Sequence, residues 1–188
     1  HGGLSEDNRF RIYLLGLSII AAGFILIATS KYGAGVSSDA ARNLSTADNL
    51  LSGNGFLDMI GAPFVLWPPL YPLVLAAAGW MTHGDTFVAA WYLNLLLYPV
   101  NIWLSGWLLY MIFRGRPLYA VAGALILLVS RSMLRIHANV ASEPLFETLI
   151  LLFFFAAAAY LRKASPRALW TMSVLAGLAT LQRYPGIA

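Results

Sequence analysis

The chain has 188 residues, of which 60% are hydrophobic and 11% charged, with a formal net charge of +4 and a mean hydropathy of +0.72. This composition excludes a water-soluble fold and a disordered chain. Because the sequence contains no cysteine, disulfides, thiolate metal sites and a cysteine nucleophile are excluded as well. No basic run with interleaved aromatic residues indicates nucleic-acid binding. The sequence therefore predicts an all-α polytopic membrane protein.

Five apolar segments are predicted to cross the bilayer, since a helix of about 20 apolar residues spans its hydrocarbon core. Before them, residues 1–8 are interpreted as the remnant of an expression tag followed by a cytoplasmic tail. Residues 9–188 then form one transmembrane module. The third segment is long enough only if Arg131 extends its side chain to the interface. The predicted spans are about 12–30, 86–113, 117–134, 144–161 and 168–187.

The apolar segment Leu70–Met81 follows Pro68 and Pro69, contains Pro72 and is only about 12 residues long, so an interfacial or re-entrant helix is predicted there. The positive-inside rule favours this choice, because a span at this point would invert everything that follows. With the N-terminus cytoplasmic, the outer loops are 31–85 and 131–143. The residues then inside are Arg9, Arg11, Arg114, Arg116, Arg162, Lys163 and Arg167.

The first outer loop is predicted to contain an amphipathic helix that begins at Asp39, is capped by Ser37 or Ser38, and lies on the outer membrane surface. Its first-turn position favours an ionised Asp39, since the helix dipole and free N–H groups stabilise a negative charge. A simple capping role is the alternative. The polar face is predicted to consist of Arg42, Asn43, Thr46 and Asn49.

The second outer loop brings cationic and acidic residues together at the membrane boundary. Arg131 and Arg135 can hold a phosphate through bidentate hydrogen bonds, with His137 and Glu143 close by in sequence. Pairing with lipid headgroups or with the acids of the outer loops is the alternative for the two arginines. Glu143 precedes Pro144 at the start of a span, so complementarity with the helix dipole is the simpler explanation for it.

Several short motifs follow one another in an order that resembles the N-terminal module of the GT-C membrane glycosyltransferases. The branch is that of protein O-mannosyltransferases and lipid A aminoarabinose transferases. The resemblance extends over nearly the whole chain, although each motif alone is weak. The matching stretches are residues 38–44 (SDAARNL) with 50–56 (LLSGNGF), 67–73 (WPPLYPL), 141–146 (ASEPLF) and 177–185 (GLATLQRYP).

The resemblance implies transfer of a sugar from a polyprenyl-phosphate donor to a lipid or protein acceptor on the extracytoplasmic side. It assigns Asp39 as the acid that activates the acceptor, and Glu143 as the acid near the donor phosphate or a divalent metal. Ala40 stands where the family often has a second acid or polar residue, which weakens the case for the metal. An inner or plasma membrane of a bacterium or archaeon is the expected location.

Two other functions stay open on the sequence alone. One is a non-catalytic membrane module that binds lipid-linked substrates or partner helices, and the weaker one is a transporter subunit. Transporters usually place polar groups at the bilayer midplane and contain internal repeats, neither of which is prominent in this sequence. Family members usually carry more spans, so a chain truncated at its C-terminus is also expected.

Overall fold

The computed structural model describes residues 6–184, and every regular element in that part of the chain is helical. Within residues 6–184 eight α-helices follow one another, with a 3₁₀ turn, Trp80–Thr82, after the third. They are α1 (Glu6–Thr29), α2 (Ser38–Leu51), α3 (Leu70–Gly79), α4 (Thr86–Ile112), α5 (Pro117–Leu128), α6 (Arg131–Ala138), α7 (Glu143–Lys163) and α8 (Pro166–Gln182).

Three of these helices, α1, α4 and α7, are long and apolar enough to cross a membrane, as an integral membrane protein requires. A fourth crossing is present if α5 and α6 count as one broken span. The five continuous spans expected from the sequence are therefore not all found. The last predicted span corresponds to α8, which has 17 residues, while residues 185–187 lie outside the described part of the chain.

The predicted helix over 117–134 is instead two helices that meet at an angle of 56°. Residue Ser130 between them is extended, with φ −65° and ψ 121°, and α6 begins directly after it. Most of the predicted loop 131–143 is consequently helical. Hydropathy alone could not reveal the break, because Leu127, Leu128 and Val129 continue the apolar pattern up to it.

Local capping explains where several helices begin. The Ser37 side chain accepts a hydrogen bond from the Ala40 amide of α2, and Asp85 does the same for Val88 of α4. Proline occupies the first turn of α5, α7 and α8, where its missing N–H leaves no hydrogen bond unmade. Helix α2 begins at Ser38, one residue before the predicted Asp39, with Ser37 as its cap.

The polar face predicted for α2 is partly wrong, because Asn43 and Thr46 are buried with Ala40 and Ala47. Both polar side chains are satisfied within the helix. Asn43 donates to the Asp39 carbonyl and Thr46 to the Arg42 carbonyl, at 2.8 and 2.9 Å. Such local bonds allow a short polar side chain to be buried without an unmade hydrogen bond.

Helix α4 lies at the centre of the bundle and packs against α1, α5 and α7. One apolar cluster joins Ala21 and Ile25 of α1 to Tyr98 and Ile102 of α4. At another crossing, a Cβ at Gly106 would overlap the Leu14 side chain, so α1 and α4 approach closely there. Helices α2 and α3 form a separate layer against the first turns of α4.

The bundle has two distinct ends. At the end that we call the loop end, Trp91 of α4 donates to Thr29 of α1 at 2.9 Å, and Gln182 of α8 donates to the Ser142 carbonyl at 2.9 Å. At the opposite, aromatic end, Tyr110 of α4 donates to Asp7 at 2.6 Å. Both predicted outer loops meet at the loop end.

Candidate active site

A cavity of about 380 Å³ opens at the loop end, between the two predicted outer loops. Its first wall comes from the beginning of α2, its second wall from α6 and the turn before α7, and the end of α8 closes one side. The charged residues of the lining are Asp39, Arg135, Glu143 and Arg183. Residues distant in sequence therefore meet in one polar space.

Three of the five predicted site residues, Asp39, Arg135 and Glu143, line this cavity. The other two do not. Arg131 is exposed at the start of α6, outside the lining, and His137 is fully buried on the opposite side of that helix. The structure thus brings the first-loop acid to the second-loop acid and to one of the two predicted arginines.

Asp39 lies in the first turn of α2 and is exposed. Its backbone carbonyl accepts the Asn43 side chain, whereas its carboxylate makes no hydrogen bond or ion pair with any residue between 6 and 184. The cap of the helix is Ser37, so Asp39 is not needed for that purpose. A carboxylate left free beside a cavity is available to accept a proton.

Arg183 also lines the cavity, although it is not among the predicted site residues. Its guanidinium forms an ion pair with Glu143 at 2.6 Å and donates to the Ser142 hydroxyl at 3.2 Å. Both partners of the ion pair are partly exposed, with side-chain exposures of 33% and 42%. Pairs of this exposure contribute little stability, so a ligand phosphate can replace the carboxylate at low cost. The sequence signals of Arg183 were its place in the matched stretch 177–185 and near the end of the last predicted span.

Three cavity residues hold buried polar atoms without a hydrogen-bond partner: Trp67 Nε1, the Tyr71 hydroxyl and Gln182 Oε1. Only two other such side-chain atoms, on Ser18 and Asn94, occur in the described chain. Unsatisfied buried polar groups are rare in folded proteins, and each costs about 1–3 kcal/mol. Their concentration around one cavity indicates a place where water or a polar ligand completes the bonding.

The Tyr71 phenol stays protonated in this environment. Burial raises its pKa well above the usual range, and the negative charge of Glu143 nearby raises the pKa further. The backbone of Ala141 partly offsets this rise without reaching hydrogen-bond geometry. Tyr71 is consequently a neutral hydrogen-bond donor next to the cavity.

His137 belongs to a polar cluster inside the bundle and not to the cavity. Its Nδ1 lies 2.9 Å from the Met133 carbonyl and its Nε2 lies 3.1 Å from Asn101 Nδ2, so the Nδ1–H tautomer satisfies both contacts. Thr148 donates to Asn101 at 2.6 Å, and the Glu147 carboxylate lies 3.3 Å from the same amide. With both ring nitrogens occupied, His137 has no atom to offer a phosphate.

An apolar groove of about 460 Å³ adjoins the cavity and shares Trp67, Pro68 and Tyr184 with it. Phe56, Phe64 and Leu181 give the groove its apolar lining. The loop on one side is ordered: Asp58 accepts the amides of two later residues and pairs with Arg42 at 3.5 Å. A polar compartment and an apolar one therefore lie side by side.

No group of three or more His, Asp or Glu side chains is close enough to hold a metal ion in the described range 6–184. The cavity offers such an ion two carboxylates, Asp39 and Glu143, the second of which is paired with Arg183.

The sequence was compared with protein-family models, curated proteins and solved structures, and none of them matches it. The resemblance to GT-C glycosyltransferases therefore depends on the sequence motifs alone.

Proposed function

We propose that the chain is the N-terminal transmembrane module of a glycosyltransferase, which moves a sugar from a polyprenyl-phosphate donor to a lipid or protein acceptor. The observation that supports this most is the free Asp39 carboxylate, which shares one cavity with Arg135 and the Glu143–Arg183 pair. A base and two cations around one polar space are the groups that this transfer needs.

In the proposed reaction Asp39 accepts the proton of an acceptor hydroxyl as its oxygen attacks the anomeric carbon of the sugar. The bond from that carbon to the phosphate oxygen breaks, and its electron pair leaves with the polyprenyl phosphate. Arg135 and Arg183 stabilise the phosphate as its negative charge increases. The attack and departure occur on opposite faces, so the configuration of the sugar is inverted.

The shape of the site suits an amphiphilic donor. The polar cavity accommodates the phosphate and sugar, and the apolar groove beside it accommodates the first isoprene units. Trp67 and Tyr71 supply unpaired donors and Gln182 an unpaired acceptor, which sugar hydroxyls or the water around them can satisfy. Asp39 and Glu143 are the residues that would hold a divalent metal, which would neutralise part of the phosphate charge when bound.

The charge distribution supports an extracytoplasmic cavity. Arg9 and Arg11 begin α1, while Arg114 and Arg116 follow α4, so all four belong to the aromatic end, opposite the cavity. By the positive-inside rule this end faces the cytoplasm. The proposal accordingly puts the loop end outside an inner or plasma membrane of a bacterium or archaeon.

The test compares Asp39→Asn with Asp85→Asn in the intact protein, in membranes supplied with polyprenyl-phosphate-linked mannose or aminoarabinose. Asp85 caps α4 outside the cavity, and asparagine is an equally good cap. We expect Asp39→Asn to reduce sugar transfer by at least about 100-fold while donor binding is retained. Asp85→Asn should leave both unchanged. Near-normal transfer by Asp39→Asn would contradict the proposed base.

A non-catalytic module that binds lipid-linked substrates is the second candidate. The adjoining polar and apolar compartments favour it as much as they favour the enzyme, because neither compartment depends on Asp39 as a base. The same experiment separates the two functions. Donor binding by the unchanged protein, without transfer of either sugar, would support the binding module.

A further inference from the structure

The backbones of the two loops are joined directly beside the cavity. The Gly35 amide donates to the Ala138 carbonyl at 3.1 Å, and the Val140 amide donates to the Gly35 carbonyl at 2.8 Å. Gly35 and Asn139 thereby form an isolated parallel bridge. The residues that follow Gly35 and those around Asn139 line the cavity, so the bridge connects its two walls.

This bridge requires glycine at position 35 for reasons of space. A Cβ at Gly35 would overlap the amide side chain of Asn139. That amide cannot easily turn away, because its Nδ2 donates to the Arg135 carbonyl one helical turn earlier. Any side chain at position 35 must therefore separate the two loops or break the hydrogen bond to Arg135.

A buried residue of α4 fixes the bridge to the bundle. Asn94 is 1% exposed, and its Nδ2 donates to the Asn139 carbonyl. Its other amide atom, Oδ1, has no partner among residues 6–184, so the known contribution of this polar side chain is the single bond to Asn139. A central helix thus holds the second wall at one point.

We propose that Gly35, Asn94 and Asn139 form a clasp that sets the distance between Asp39 and the opposite wall of the cavity. Asp39 follows Gly35 by four residues, and Arg135 and Glu143 each lie four residues from Asn139. Such short segments, mostly helical or hydrogen-bonded, transmit a shift at the bridge to the functional groups. The three residues are positioning residues, and the catalytic consequence depends on the function proposed above.

The clasp is testable by distance measurement, because the chain has no cysteine. Spin labels at Ser38→Cys and Ser132→Cys, both exposed and outside the cavity lining, report the separation of the two walls. We expect Gly35→Ala to lengthen and broaden this distance in double electron–electron resonance. The double variant Gly35→Ala/Asn139→Gly should restore it, since the overlapping amide is then absent.

Gly23→Ala is the matched control, because a Cβ at Gly23 in α1 would meet no atom within 4 Å. Asn94→Ala gives a second route to the same result, since it frees Asn139 from α4 without adding an atom. Unchanged distances in both Gly35→Ala and Asn94→Ala would overturn the clasp. The clasp would also be overturned if Gly35→Ala lengthens the distance and the double variant Gly35→Ala/Asn139→Gly does not return it to its original value.

Sugar transfer supplies a separate readout of the same variants. A misplacement of about 1 Å at a reacting centre can reduce a rate by about 100-fold, so Gly35→Ala should lower kcat strongly with little change in KM. The double variant should recover most of the loss. Distances that change and recover as expected support the clasp even if the unchanged protein transfers no sugar. The absence of sugar transfer would contradict the proposed function but not the clasp.

Discussion

At the aromatic end of the bundle, Phe10 stacks on Tyr110 at 4.4 Å and meets the edge of Trp107 at 5.0 Å, whereas the loop end encloses a polar cavity. Asp7 at the aromatic end accepts a hydrogen bond from Tyr110. Asp39, one of several acids at the loop end, has no such partner in the described structure. One end is built for packing, and the other keeps polar groups available.

The two ends also differ in how their elements are joined. At the aromatic end, side-chain packing between α1 and α4 dominates, with Arg11 placed over the Trp107 ring at 5.8 Å. At the loop end, hydrogen bonds between segments far apart in sequence, such as Gly35 with Val140, add to the apolar packing of α2 and α3 against α4. If the loop end binds the donor as proposed, stability and ligand binding depend on opposite ends of the bundle, and mutations should separate the two properties.

The largest effect is expected from Phe10→Ala. Removing a buried aromatic side chain typically costs about 3–5 kcal/mol, and dispersion contacts account for part of this loss even in a membrane. Unfolding in mixed micelles should show a loss of stability of about that size. Affinity for geranylgeranyl phosphate, measured where the variant is folded, should stay unchanged. A loss of affinity as large as the loss of stability would remove the distinction between the ends.

The second effect concerns the cavity arginines. Arg135→Gln should weaken binding of geranylgeranyl phosphate about 10-fold or more, because hydrogen bonds to charged groups contribute about 1.5–3 kcal/mol. Arg131→Gln is the matched control, since Arg131 lies on the same helix but outside the cavity. Equal losses in the two variants would indicate that both arginines act only through their general positive charge.

Much of the fold could be predicted from the sequence because its signals are local. Ser37 as a cap and Pro117 and Pro144 in first turns locate the starts of α2, α5 and α7 to within a residue or two. The break at Ser130 could not be predicted, since no proline or glycine marks it. Its extended backbone depends on how α6 packs against distant helices.

The candidate site was predictable only in part. Asp39 and Glu143 could be singled out because each was expected to be an acid in the first turn of a helix, and their roles came from the resemblance alone. The pairing of Glu143 with Arg183 joins residues 40 positions apart, and Asn94 meets Asn139 across 45. Such contacts depend on the order in which the helices pack. His137 was predicted in the site because its segment was expected to be a loop, where the sequence does not show which way a side chain faces. The segment is in fact helix α6, which turns His137 into the bundle.

The smallest effect is expected from Tyr71→Phe, which tests whether the polar atoms at the cavity are unpaired in the native protein. Removing a buried hydroxyl without a partner should leave stability unchanged or raise it by about 1 kcal/mol. Because burial raises the pKa of Tyr71, the unfolded chain loses this proton first, and the native protein should lose stability as pH rises above about 10. The Tyr71→Phe variant should not show this loss of stability at high pH. Greater stability of the unchanged protein at pH 7 would show that the hydroxyl already has a partner.

The most direct test of the central claim is to map where a polyprenyl phosphate binds. A photoreactive geranylgeranyl phosphate would be cross-linked to the intact protein in nanodiscs, and the modified peptides identified by mass spectrometry. We expect labels within 36–43, 56–71, 135–143 and 180–184, which an excess of unlabelled geranylgeranyl phosphate removes and phosphatidylglycerol does not. Labels spread over the exposed face of α1, at residues such as Ile19 and Ile27, and insensitive to competition, would contradict a donor site at the loop end.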